Sequence, residues 1–128
     1  MAFRGALGLL AVMFMSNALA GPSVAAGREL YETNGCIICH GLYGKGDGGA
    51  RKTLHVKPAD LRDPSKFKKG ATEAAIAKTL AEGIEVEHYW PELKATHHYK
   101  AMPKFDHLTK TERRSLAQYI LSLSKPNN

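Results

Sequence analysis

The feature that most restricts this chain is Cys36-Ile37-Ile38-Cys39-His40, which holds its only two cysteines. Two thiols at this separation admit three readings: a disulfide, a metal or redox dithiol, and covalent attachment of a haem. A disulfide closing so short a loop would constrain the unfolded chain very little. A redox dithiol of the thioredoxin kind needs a preceding strand and a βαβ pattern, and the sequence carries neither. Structural zinc takes four ligands, and no second cysteine pair completes a common site. Haem attachment remains. Two intervening residues set the separation that lets Cys36 and Cys39 add across the two vinyl groups of one haem edge. His40, directly adjacent, is then held beneath the iron as an axial imidazole.

Composition agrees with a chain built around a cofactor. Apolar residues make up 44% of the 128, but 15 of the first 20 residues are apolar. The remainder is one rather polar domain with little aliphatic core of its own. Met1–Arg4 carries one positive charge, Gly5–Met15 is an apolar run, and Ser16–Ala20 ends in a small-x-small pattern. This grammar predicts a secretory signal peptide over residues 1–20, a single domain over 21–128, and a periplasmic location. Retention as a membrane anchor is the alternative, although the run is shorter than the roughly 20 apolar residues of a spanning helix. The formal net charge is +6, and only Arg4 among the positive groups lies in the signal segment. A basic domain favours acidic partners. Nucleic acid is not expected, because no basic helix or aromatic stacking motif is present.

The second iron ligand is reached from what the mature domain contains. Of the 4 methionines, at positions 1, 13, 15 and 102, three leave with the signal segment. Met102 is then the only thioether, and Pro103 after it disfavours a helical conformation there, placing it on an extended loop. Two readings stand: an adaptable core residue, as most methionines are, or the sixth ligand of the iron. Uniqueness, the following proline and an attached haem favour ligation. A His/Met iron has a raised reduction potential and no vacant position, which suits electron transfer rather than catalysis. The other histidines, His55, His88, His97, His98 and His107, read as solvated surface residues. His97 and His98 are the rivals of Met102 by proximity. A metal patch of His88, His97 and His98 lacks both helical spacing and a carboxylate cluster.

Three helices are legible. Ser23–Asn34 is the first, with Gly35 as its stop and Gly27 four residues before Tyr31, where another backbone could approach closely. Thr72 caps a second, Glu73 to about Glu82, with Ile76, Leu80 and Ile84 on one face. Thr109-Lys110-Thr111-Glu112 is a capping box that opens a third, with Leu116, Tyr119, Ile120 and Leu123 on one face before Pro126. Gly41–Gly49 is glycine-rich but lacks the Gly-Lys-Ser/Thr ending and preceding strand of a phosphate loop. Residues 51–70 read as a loop with a short helix beyond Asp60. No strand of convincing alternation is visible.

Taken in order, these residues resemble class I c-type cytochromes over nearly the whole domain. Gly27-x-x-x-Tyr31 is similar to the family's first helix, Cys36 to Gly41 to its haem site, and Gly44 to Gly48 to the loop after it. Thr72–Ile84 is similar to the helix before the methionine loop, Met102-Pro103 to the axial ligand, and Leu116–Leu123 with Tyr119 to the last helix. The resemblance implies an all-α cytochrome c fold, its first and last helices crossed and further short helices around one covalently bound haem c. It implies a periplasmic mono-haem electron carrier, not an enzyme, passing single electrons between redox proteins with acidic docking surfaces. The alternatives are a haem-bearing subunit of a larger oxidoreductase complex, and a haem enzyme or sensor with a displaceable sixth ligand. The chain departs from the family pattern twice. Gly49-Ala50 stands where many relatives have the proline whose carbonyl orients the axial histidine, leaving Pro58 or a non-proline carbonyl for that work. The segment from Glu85 to Ala101 is also longer than in compact members. In it, Trp90 either packs the segment or hydrogen-bonds a haem propionate. Lys66, Lys68, Lys69, Lys100 and Lys104 are either a docking rim or ordinary solubilising charges.

Overall fold

The computed structural model describes residues 20–124. The signal segment expected over residues 1–20, apart from Ala20, and the expected stop at Pro126 lie outside these. Four α-helices, two short 3-10 turns and one hairpin make up the described residues. Among them, no helix is long and apolar enough to cross a membrane.

Helix α1, Val24–Thr33, starts at Ser23, whose side chain accepts from Ala26 N at 3.1 Å, satisfying a donor that the first turn cannot. Helix α4, Lys110–Ser122, opens with the expected capping box. Thr109 Oγ1 accepts from Glu112 N at 3.2 Å, and Glu112 Oε2 accepts from Thr109 N at 2.7 Å. The two helices cross at Gly27. A Cβ built there would overlap the Ser115 carbonyl and lie 2.7 Å from Tyr119 Cβ, so the missing side chain is what lets the backbones meet. Tyr31 and Tyr119 close the crossing edge to face, with ring centroids 5.3 Å apart. Ser115 Oγ accepts from Ser23 N at 3.1 Å beside it.

Helix α3, Glu73–Glu82, starts at Thr72 and buries Ile76 and Leu80, as the sequence predicts. It packs on α4, where Glu73 accepts from Gln118 Nε2 at 3.0 Å and pairs with Arg114. The buried core consists of Tyr31, Leu61, Ile76, Leu80, Phe105, Leu108, Leu116, Ala117 and Ile120. The loop over 51–70 is interrupted by 3-10 turns at Gly49–Thr53 and Pro64–Lys66.

The mostly helical architecture matches expectation; the long segment before Met102 corrects it. Strands β1, Ile84–Trp90, and β2, Ala95–Met102, form an antiparallel hairpin with Val86 opposite Tyr99, His88 opposite His97 and Trp90 opposite Ala95. Pro91–Lys94 makes the turn, with Lys94 at φ 49. Alternation is present after all. One face carries Val86, His88, Trp90, Ala95, His97 and Tyr99, and the other carries Glu85, Glu87, Tyr89, Thr96, His98 and Lys100. Neither face is a clean aliphatic stripe, so the period-2 signal is hidden by histidines and aromatics on both sides.

Candidate functional site

The cysteine motif forms the short helix α2, Cys36–His40. Tyr31, buried in the helix crossing, donates its hydroxyl to the Gly41 carbonyl at 2.6 Å. This bond ties the end of the motif to the most firmly packed part of the molecule. His40 is oriented from the other side. Its Nδ1 donates to the Ala59 carbonyl at 3.1 Å, which leaves Nε2 as the free ring nitrogen. The orienting carbonyl therefore belongs to a non-proline residue, the one directly after Pro58. Burial pushes the His40 pKa below its ordinary value, and the bond to Ala59 opposes that only in part. A neutral imidazole is the form that binds a metal. Burial likewise pushes the Cys36 thiol up, to about 11.

Met102 reaches the same place from 62 positions along the chain. It ends β2 opposite Ile84 rather than lying on a free loop, and the segment after it is tied to α3 by Phe105 N donating to Leu80 O at 2.7 Å. Gly83, at φ 72, lets the end of α3 pass close by. A Cβ there would lie 2.8 Å from the Met102 carbonyl oxygen.

Cys36, Cys39, His40 and Met102 all line one cavity of about 410 Å³. Its other walls are Leu54, Val56, Phe67, Ile76, Leu80, Phe105 and Ile120, among others. The core side chains thus enclose a space instead of closing on one another, which answers the polar composition of the domain. The residues fit a covalently held haem: two free thiols, a neutral imidazole and a thioether converge on an apolar chamber. Tyr99 Oη, on β2, is buried without a hydrogen-bond partner among the described residues.

The rest of the predicted residues divide. Lys66, Lys68 and Lys69 line the cavity together with Lys57, while Lys100 and Lys104 do not. Two of the four are paired, Lys66 with Asp63 at 3.5 Å and Lys69 with Glu82 at 3.7 Å. His97 and His98 do not line the cavity. His98 stands 3.5 Å from Glu87 on the exposed face of the hairpin, and His107 meets Asn34 Oδ1 at 3.0 Å. Among the described residues, no three His, Cys, Asp or Glu side chains are placed to hold a metal ion. Trp90 packs against His55 and His88, at centroid distances of 4.4 and 4.8 Å, and is not part of the cavity lining. Sequence reasoning leaves one contributor unassigned: Ala59 acts through its carbonyl, which no side-chain pattern reports. His55 is exposed, as the sequence reading has it, and its ring also meets a hairpin that the sequence pattern hides.

The family model described as cytochrome c matches residues 24–124. A solved chain of the reducing HAO-like protein complex of Kuenenia stuttgartiensis is similar in structure, with a TM-score of 0.64 and 27% identity over 80% of this chain and 44% of that one. The chain thus spans less than half the length of that relative. No curated protein matches the sequence.

Proposed function

We propose, from the premise that this chain belongs to the cytochrome c family and carries haem c covalently, that it is a periplasmic carrier of single electrons with a His/Met-ligated iron. The observation that carries the proposal is the convergence of Cys36, Cys39, His40 and Met102 on one apolar cavity. Bound haem supplies one iron that gains or loses a single electron. Everything else falls to the chain. Cys36 and Cys39 hold the group through two thioether bonds. His40, its Nδ1 proton committed to Ala59, presents Nε2 to the iron in a fixed orientation. Met102, held at the end of β2 and by the tie after it, would supply a thioether as the second ligand. A thioether favours the reduced iron and raises the potential relative to a second imidazole. Held by His40 and Met102 together, the iron would have no position left for a substrate. Apolar walls keep water from the iron and limit the reorganisation that accompanies each change of charge.

Lys57, Lys66, Lys68 and Lys69 around the cavity give the site a positive edge, which suits acidic partner surfaces. In this reading the domain extends over residues 21–128, after a signal segment over 1–20. A redox titration of periplasmically matured protein tests the function. One reversible one-electron wave with one haem per chain, and electron exchange with acidic redox proteins that slows as salt rises, is the expected result. Turnover of a small substrate at the haem would overturn it.

A second reading has its own observation, because the structurally similar chain belongs to a named protein complex. In that reading the domain is the electron-transferring subunit of a larger oxidoreductase. A stoichiometric partner that co-purifies with the haem protein from its native source would select it over the free carrier.

A further inference from the structure

The hairpin is poorly supported for its length. Its strands pair with each other but pack extensively on no helix, and an isolated two-stranded hairpin is marginal in water. Its exposed face is solvated, with Tyr89 at 55% exposure and Leu93 at the turn at 65%. The other face meets His55, itself an exposed side chain. The centroid of that imidazole lies 4.4 Å from the Trp90 ring centroid, edge to face, 5.9 Å from that of His88 in a stacked arrangement and 6.1 Å from that of Tyr99.

The place of His55 in the chain gives this contact its meaning. Leu54 and Val56 on either side of it line the cavity, and so do Val86, Ala101 and Met102 of the hairpin. His55 joins these two walls. Four residues later comes Ala59, whose carbonyl orients His40, while the strand that holds Tyr99 ends at Met102. One short segment therefore meets His40 through a hydrogen bond at Ala59 and, at His55, meets the ring of Tyr99 on the strand that ends at Met102 and the ring of Trp90 near the turn. On its other side Met102 is restrained independently, by the Phe105–Leu80 backbone bond.

We infer that His55 and Trp90 form a clasp that positions Met102, setting how often the methionine leaves the iron and hence how accessible and how oxidising the metal is. This rests on the reading that Met102 is the sixth ligand. Loosening the clasp frees the hairpin without disturbing the crossed helices, the thioether bonds or the His40–Ala59 bond. The strand then samples positions in which the thioether is withdrawn. Tyr89 and Leu93 are on the same hairpin but outside the contact, so they mark what a merely structural change would do.

The test uses the matured, haem-loaded, oxidised protein and follows imidazole binding by stopped flow. Imidazole enters only when Met102 has left, so at high concentration the rate levels off at the rate of methionine dissociation. Trp90→Leu and His55→Ala are each expected to raise that limiting rate by about two- to tenfold, the range set by the strength of one aromatic contact. Trp90→Phe, which keeps an aromatic ring, restores most of the wild-type rate, and Leu93→Ala leaves it unchanged. The double variant is no faster than the faster single variant, because both remove one contact. The reduction potential of Trp90→Leu and of His55→Ala shifts downward, as a weaker thioether bond requires. Limiting rates and potentials equal to those of Leu93→Ala would overturn the clasp while leaving His/Met ligation standing. Wild-type rates that rise without limit, with no methionine–iron charge-transfer band, would overturn the ligation and the clasp together.

Discussion

The crossing of α1 and α4 and the β1–β2 hairpin hold the two halves of the same site by opposite means. At the crossing, Gly27 brings backbones into contact, Tyr31 and Leu116 are fully buried, and the cysteine motif is tied on by Tyr31. At the hairpin, few groups are buried and one loop residue provides the lateral contact. The side that carries the cysteine motif is locked by buried contacts, whereas the side that carries Met102 rests on fewer of them, the pattern expected of a segment that opens more easily.

The largest break in that comparison should come from Gly27→Val. The new side chain runs into the Ser115 backbone, and chemical denaturation is expected to show a loss of about 3 kcal/mol. A loss near zero would mean that the crossing is not the frame. Tyr31→Phe keeps the ring in place but leaves the Gly41 carbonyl without its donor. That costs about 1–3 kcal/mol by the same assay.

Glu73 probes the α3–α4 contact through pH. Its hydrogen bond with Gln118 first, and Arg114 second, hold its carboxyl below the usual 4.5. A depressed acid adds stability that is fully present above the unfolded value and is lost as pH falls through the folded one. Thermal melts of Glu73→Gln should therefore be slightly lower than wild type at neutral pH and should converge with it in acid. Equal melting at both ends of that range would show that the surface pair contributes nothing. The smallest effect belongs to Leu93→Ala at the hairpin turn, expected to stay within about 0.5 kcal/mol of wild type. A larger loss would show that the tip is packed against something that the exposed position of Leu93 does not suggest.

Much of the helical frame is legible because its signals are local. Ser23, Thr72 and Thr109 cap helices within one residue of where the sequence puts them, and Gly27 four residues before Tyr31 marks a crossing by its lack of a side chain. Cys36, Cys39 and His40 stand out for a different reason, a spacing that matches covalent haem attachment, and the structure brings all three to one cavity. Counting thioethers leads to Met102, and the structure brings it to the same cavity. The hairpin is not legible. Its alternating faces mix His, Trp, Tyr and charged residues, so hydrophobicity does not alternate even though the side chains do. The carbonyl that orients His40 is beyond sequence reading in principle, because every residue has one and only the path of the loop selects Ala59.

The central claim is that Met102 closes the iron that His40 opens to the cavity. Carbon monoxide added to the reduced, matured protein and to its Met102→Ala variant tests it most directly. The account predicts a low-spin wild type that does not respond to carbon monoxide, and a variant that binds it promptly while keeping its covalent haem. Prompt binding by the wild type, or a variant whose spectrum and response are the same as the wild type's, would contradict it.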